Sequence, residues 1–370
     1  MAKRQAISLE HQHPKTALIG LYTQRALNTT PEHYFQEFVS LVNTLDMKYD
    51  VTFFTKLRTI DNNVFLSKGK MEEIHAFCTE HEIERILFSE ILSSVQERNL
   101  EEIFGCEIYD REHIILEIFK KSAHSSEGKI QLEMAELQFH KTRLIGKGKE
   151  FAQQAGILGT RGPGETFKET IRRHIDEKER QAKKRLDTLE RSRDVQRKQR
   201  LAQSHPLVCL IGYTNAGKSS ILNRLTKANV LAENKLFATL DTTTRELFLS
   251  DKKRILISDT VGFINQLPHS LIAAFKSTLA ELSYAHLLLQ VIDASNPAWK
   301  SQINVVAATL KELSIDKPMI YLFNKIDVLS PEQKEELNQK IEAYNPHILI
   351  HTMDKDGIKP LVDFLTKYQF

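Results

Sequence analysis

The sequence has little that would place it outside a reducing compartment or within a membrane. Only three cysteines occur in 370 residues, Cys78, Cys106 and Cys209. They are odd in number, far apart and without metal-ligand spacing. Neither a disulfide framework nor a zinc site is expected, and they read as free thiols. The first fifteen residues, MAKRQAISLEHQHPK, are polar and contain no apolar core of a secretory signal. The most apolar runs, such as His286–Ile292, are too short to cross a bilayer. Internal repeats and low-complexity tracts are absent. The expectation is a cytoplasmic monomer with no membrane span.

Bulk charge is also scarce, at a net +3, but its distribution is uneven. From Lys120 to Arg200 there are 21 Lys/Arg against 12 Asp/Glu, so the rest of the chain is net acidic. A basic middle segment between acidic flanks is compatible with a polyanionic partner, although charge-rich helices are commonly just solvated. The 41% hydrophobic and 27% charged content is that of a globular chain long enough for two or three domains.

Three regions follow from the patterning. In residues 1–118, strand-like Thr16–Tyr22, Val51–Phe54 and Arg85–Ser89 alternate with helical Pro31–Asp46, Lys70–Cys78 and Val95–Phe104. That alternation predicts a small α/β domain without a catalytic constellation. Residues 119–203 hold two helical patterns, one through Ile130, Met134 and Leu137, the other through Ile171, Ile175, Ala182, Leu186 and Leu189. An antiparallel, coiled-coil-like hairpin is expected. Its tip, residues 146–166, carries six glycines and one proline with Lys147, Lys149 and Arg161. Glycine at that density means backbone that bends or approaches a surface closely, and its basic residues suit RNA phosphates. A flexible linker is the plainer reading of the same composition. Residues 204–370 alternate strands at Leu207–Ile211, Arg254–Ser258, Leu287–Ile292, Met319–Phe323 and Ile348–His351 with helices at Ser219–Thr226, Leu271–Ser283, Trp299–Glu312, Pro331–Tyr344 and Ile358–Tyr368. This predicts a doubly wound, mainly parallel sheet.

Chemistry concentrates in that last region. The strand LVCLI runs into Gly212-Tyr213-Thr214-Asn215-Ala216-Gly217-Lys218-Ser219-Ser220, which matches G-x-x-x-x-G-K-[ST]. The glycines let main-chain N–H groups turn inward onto phosphate oxygens, and the following helix aims its N-terminus at the same charge. Lys218 is expected on the β- and γ-phosphates and the Ser219 hydroxyl on Mg²⁺. Asp259-Thr260-Val261-Gly262 follows the strand RILIS, placing a carboxylate to hold the metal through water and a glycine N–H for the γ-phosphate. Asn324-Lys325-Ile326-Asp327 follows MIYLF. The Asp327 carboxylate accepts from guanine N1–H and the exocyclic amine. Adenine lacks that pair of donors and would leave the carboxylate unpaired, a cost of about 1–3 kcal/mol. GTP hydrolysis to GDP and phosphate is the reaction these motifs predict. Phe237-Ala238-Thr239-Leu240-Asp241 and the three residues after it supply four threonines, one of which is expected to reach the metal when the γ-phosphate is present.

Two details bear on rate. Phe263 stands where Ras-like enzymes place a water-orienting glutamine, so intrinsic hydrolysis is expected to be slow unless another group positions the water. Asn215 in the loop resembles the asparagine of the potassium-dependent GTPases, which implies a K⁺ beside the phosphates. On this basis Lys218, Asn215, Thr239 and Gly262 are the candidate catalytic groups.

The whole chain resembles the HflX family of ribosome-associated GTPases. The resemblance rests on Leu66–Lys70 with Met71–Ile74, Arg98–Glu102, Asp110-Arg111, Glu127–Gln131, the distinctive Gly159-Thr-Arg-Gly-Pro-Gly-Glu-Thr166, and the nucleotide motifs in family order. It implies that Thr239 is the metal threonine. It further implies binding to the large ribosomal subunit and its rRNA, a hairpin tip directed at the peptidyl-transferase region, and splitting of stalled or idle ribosomes with hydrolysis driving release. Ribosome-stimulated turnover belongs to the same expectation. Departures exist. The last guanine loop reads His351-Thr352-Met353 in place of the family's Ser-Ala, and the chain ends at Phe370, where many relatives continue into a small C-terminal domain. A GTP-dependent regulatory switch and a GTPase associated with RNA modification remain as alternatives.

Overall fold

The computed structural model describes residues 13–23, 30–144, 163–202, 205–226, 236–237, 242–250, 253–268, 271 and 279–370. The N-terminal part alternates β1 (Thr16–Thr23), α1 (Pro31–Thr44), β2 (Val51–Leu57), α2 (Lys68–His81), β3 (Arg85–Phe88), α3 (Ser94–Phe104), β4 (Glu107–Tyr109) and α4 (Arg111–Ser122). Its sheet is parallel throughout, in the order β2-β1-β3-β4. Capping chemistry sets several boundaries. Thr30 caps α1 just before Pro31, Ser93 and Gln96 form a capping box on α3, and Asp110 accepts from the His113 N–H at the start of α4. Strand β4 and most of α4 were not anticipated from the sequence. The region boundary drawn at 118 falls inside α4, which runs to Ser122.

Helices α5 (Ser126–Leu144) and α6 (Pro163–Ala202) pack side by side. Leu132, Ala135 and Phe139 of α5 and Ile175, Ala182 and Leu186 of α6 are buried. Lys141 pairs with Asp176 at 2.7 Å and Arg185 with Glu133 at 2.7 Å, so positions rise along one helix as they fall along the other: the pair is antiparallel. At 1.5 Å per residue, the 40-residue α6 is about 60 Å long.

The C-terminal part contains β5 (Leu207–Gly212), α7 (Lys218–Thr226), β6 (Thr243–Ser250), β7 (Lys253–Asp259), β8 (Leu287–Asp293), α8 (Trp299–Glu312), β9 (Met319–Asn324), α9 (Pro331–Ile341), β10 (His347–Leu349) and α10 (Lys359–Lys367). The sheet order is β10-β9-β8-β5-β7-β6, parallel except for β6, which pairs antiparallel with β7. Successive side chains of β5 go to opposite faces. Val208 and Leu210 join a cluster with Ile221, Leu222, Leu361 and Leu365. Leu207, Cys209 and Ile211 join a second cluster that continues into Phe38, Leu41, Ile115 and Phe119 of the N-terminal part and Phe139 of the hairpin. One apolar mass therefore fastens the N-terminal part and α5 to the face of β5 that leads into the phosphate loop.

Candidate nucleotide site

Strand β5 is wholly buried and ends at Gly212, whose φ is +142° and whose α-carbon faces the Val291 carbonyl of β8, where a Cβ would collide. Gly217 has φ +98° and abuts the Asn324 side-chain amide. Both positions demand glycine, by backbone conformation and by room. Between them Asn215 takes a left-handed φ of +62°, and its side chain is exposed at the loop rim. Helix α7 then begins at Lys218. The Lys218 ammonium is buried and donates to the carbonyls of Gly212 at 3.1 Å and Tyr213 at 2.8 Å. Burial lowers its pKa to about 8 against the opposing pull of Asp259. An ammonium has three donors, and these two carbonyls take two of its directions.

Asp259 ends β7 fully buried, and the Ser219 hydroxyl donates to its Oδ2 at 2.6 Å. Hydroxyl and carboxylate oxygens at hydrogen-bond distance are the hard donors Mg²⁺ takes, so the pair fits that ion. Bound there, Mg²⁺ would supply charge to phosphate oxygens. Ser220 is half-buried on the first turn of α7. Thr260 donates its hydroxyl to the Leu210 carbonyl at 2.8 Å, which ties the tip of β7 to β5. Val261 is buried in the shared apolar cluster. Gly262 lies against the loop: a Cβ there would stand 2.7 Å from Thr214 Cγ2 and 3.1 Å from Lys218 Nζ. The main chain of Phe263 pairs with the loop, donating to the Gly212 carbonyl at 3.1 Å and accepting from the Thr214 N–H at 2.8 Å. Its ring is buried. The Thr214 hydroxyl is buried with no hydrogen-bond partner.

The base side is assembled from the neighbouring strand ends. Asn324, fully buried at the end of β9, donates to the Ala216 carbonyl at 2.9 Å. Lys325 donates to the Asn215 carbonyl at 3.0 Å and pairs with Asp293 at 2.7 Å. Asp327 sits exposed in the single turn Ile326–Val328. In the last loop, His351 donates its N–H to the Gly357 carbonyl at 3.2 Å, and Met353 is exposed. Arg224 of α7 donates to the Thr352 carbonyl at 2.6 Å and the Met353 carbonyl at 2.7 Å. Asp293 and Arg224 were not singled out in the sequence. A carboxylate closing an apolar strand was a usable signal for Asp293, but nothing local marks Arg224.

The segment expected to reach the metal is described only in part. Phe237 packs edge-to-face on Phe119 of α4, with ring centroids 4.7 Å apart. Ala238, Thr239, Leu240 and Asp241 lie outside the described residues, as do Lys147, Lys149 and Arg161 of the hairpin tip. Thr244, one of the competing threonines, is engaged in the sheet, bonding Ser258 Oγ at 3.0 Å. Among the described residues no helix is long and apolar enough to cross a membrane.

Three family models match in succession: GTP-binding GTPase N-terminal over residues 32–120, GTP-binding GTPase Middle Region over 122–200, and 50S ribosome-binding GTPase over 207–325. GTPase HflX of Caldanaerobacter subterraneus subsp. tengcongensis is 44% identical over 316 residues, covering 85% of this chain and 72% of the relative. GTPase HflX of Magnetococcus marinus is 39% identical over 362 residues, covering 96% and 83%. The Escherichia coli K12 GTPase HflX is 39% identical over 334 residues, covering 90% and 78%. The chain belongs to the HflX family of GTPases. Membership accounts for the order of the three parts, with a nucleotide site on the last of them.

Proposed function

We propose that this protein hydrolyses GTP to GDP and phosphate on the large ribosomal subunit and splits stalled or idle ribosomes into subunits, hydrolysis allowing its release. Lys218, the Gly262 N–H and Mg²⁺ at Ser219 and Asp259 act on the phosphates, and Asp327 selects guanine. The hairpin tip, with Lys147, Lys149 and Arg161, contacts rRNA. The observation that carries this reading is the attachment of the nucleotide site, through one continuous apolar cluster, to an antiparallel two-helix arm in the basic segment of the chain. Such an arm gives nucleotide state a lever on a polyanionic surface. The 50S ribosome-binding description of the model matching residues 207–325 supports the same partner.

A sucrose gradient tests it. Protein loaded with a non-hydrolysable GTP analogue co-sediments with large subunits and raises the free-subunit fraction. Absence of both effects, with nucleotide binding intact, leaves the regulatory-switch reading.

A further inference from the structure

The phosphate loop is closed by more than its own domain. Tyr213, its second residue, is buried, and its hydroxyl donates to the Glu37 carboxylate of α1 while accepting the Asn265 N–H at 2.7 Å. The Asn265 side-chain amide donates to the same Glu37 oxygen at 3.2 Å. Arg111, which opens α4, is fully buried. It donates to the other Glu37 oxygen and, at 3.1 Å, to the Asn265 carbonyl. Its guanidinium covers the Tyr34 ring at 4.8 Å, and Tyr34 donates to the Gln266 side chain at 2.8 Å. A chain of polar contacts therefore runs from the N-terminal domain to the residues that directly follow Gly262.

This network is an expensive way to fill space. Burial drives the Glu37 carboxyl upward, against the pull of Arg111 and the hydrogen bonds from Tyr213 and Asn265. Burial also opposes the Arg111 charge, yet Tyr34, Glu37, Tyr213 and Glu90 hold it above its ordinary value. Arg111 Nε and Nη1 find no hydrogen-bond partner. An apolar cluster of equal volume would hold two domains together at least as well. What fixed hydrogen bonds add is one defined arrangement of the segment they grip.

That arrangement matters because of where Gly262 lies. Its backbone stands against Thr214 and Lys218, and the Phe263 main chain occupies the Thr214 N–H and the Gly212 carbonyl. A Cβ added at Gly262 would meet the Lys218 ammonium at 3.1 Å, so this turn lies close to where a third phosphate would sit. We propose that Glu37 and Arg111 are positioning residues for the γ-phosphate site: acting through Tyr213 and Asn265, they hold the Phe263–Gln266 segment down on the loop, so that a triphosphate binds only by drawing this segment off its N-terminal anchor. The inference rests on the GTPase reading of the site and deepens it. GDP leaves the clamp closed, GTP opens it, and hydrolysis lets it close again. A ligand shifts such an equilibrium only by its differential affinity for the two states, so the clamp weakens triphosphate binding relative to diphosphate.

The test uses the full chain without ribosomes. Glu37→Gln removes the charge with little change of shape, and Tyr213→Phe removes only the hydroxyl. Titrations with fluorescent GDP and a fluorescent non-hydrolysable GTP analogue give the affinity ratio, and circular dichroism melting confirms that each variant is folded. Each substitution is expected to raise analogue affinity relative to GDP by about tenfold, the scale of one hydrogen bond to a charged group. The double variant falls short of the product of the two, because both act through one network. In the wild type, amide hydrogen exchange at residues 263–266 and along α1 is faster with the analogue than with GDP. That measurement stands even where a variant fails to fold. An unmoved ratio in folded variants, or exchange indifferent to the third phosphate, overturns the clamp. A wild-type chain that binds neither guanine nucleotide overturns the GTPase reading instead.

Discussion

Gly217→Ala separates what glycine does for the phosphate loop from what it does for backbone freedom in general, when set beside Gly105→Ala. Gly105, the αL cap of α3, has φ +66° and nothing within 4 Å of an added Cβ. Alanine there meets left-handed strain alone, roughly 1–2 kcal/mol. Gly217, at φ +98°, meets that strain and also the Asn324 amide. Asn324 is fully buried and supplies the partner of the Ala216 carbonyl at 2.9 Å. Displacing it leaves a buried carbonyl unpaired, a further cost of about 1–3 kcal/mol. The combined cost is about 2–5 kcal/mol. A loop that relaxes in the free protein moves this cost from folding to nucleotide binding, because the relaxed loop must be returned to shape around the phosphates. Urea unfolding without nucleotide and titration with fluorescent GDP apportion the two. Gly105→Ala should lose stability and hold GDP affinity within about twofold, whereas Gly217→Ala should lose at least about tenfold in GDP affinity, the equivalent of 1.4 kcal/mol. Wild-type GDP affinity in Gly217→Ala, or equal losses in both variants, would refute the assignment of Gly217 as the brace between the phosphate and guanine loops.

Two further expectations concern charge. Lys218 is held near pKa 8 by burial in the free protein, below its ordinary 10.5. GDP affinity should therefore be full below pH 8 and fall as pH rises through it, while the stability of the free fold gains over the window from 8 to 10.5, where the unfolded chain binds the extra proton. Phosphates restore the charge, so calorimetry at pH 8.5 in buffers of unlike ionisation enthalpy should detect uptake of up to about one proton, and zero uptake would count against this lysine as the phosphate ligand. For the monovalent cation, the exposed Asn215 side chain and the buried Phe263 ring together predict hydrolysis faster in K⁺ than in Na⁺ by on the order of tenfold, since an added charge at the phosphates replaces a missing transition-state contact. Equal rates would remove K⁺ from the mechanism.

The phosphate loop, the Asp259–Gly262 turn and the Asn324–Asp327 loop were legible because local backbone demands select their residues. Gly212 and Gly217 need positive φ and have no space for a side chain, and each motif follows a short apolar strand whose last residues are buried. Three parts of the fold were not legible in the same way. Strand β4 has three residues, too few for a period to show. Helix α4 carries a readable apolar face in Ile114, Ile115, Ile118 and Phe119, but the rise in basic charge at Lys120 drew the boundary into its middle. Strand β6 is threonine-rich with a single buried position, so it shows almost no apolar alternation before its pairing with β7 is formed.

The network around Arg111 was hidden for a different reason. Arg111 enters the sequence reading only with Asp110, as part of the family resemblance, and nothing there marks it as a buried guanidinium. Glu37 is 74 residues away from it in sequence and Tyr213 is 176 residues from Glu37, so no spacing rule connects them. Local patterning records which side chains share a face of one element. It does not record which charged residue two elements will enclose when they meet. At the phosphate loop the chemistry is written in consecutive residues because one turn of backbone must wrap one anion. The residues proposed to control that loop come from distant elements, because the contacts run between the N-terminal domain and the segment after β7. On the clamp proposed above, removing the Glu37–Arg111 anchor leaves every nucleotide motif in place and shifts the affinity ratio toward the triphosphate. The affinity ratio in Glu37→Gln is therefore more informative about this protein than either affinity alone.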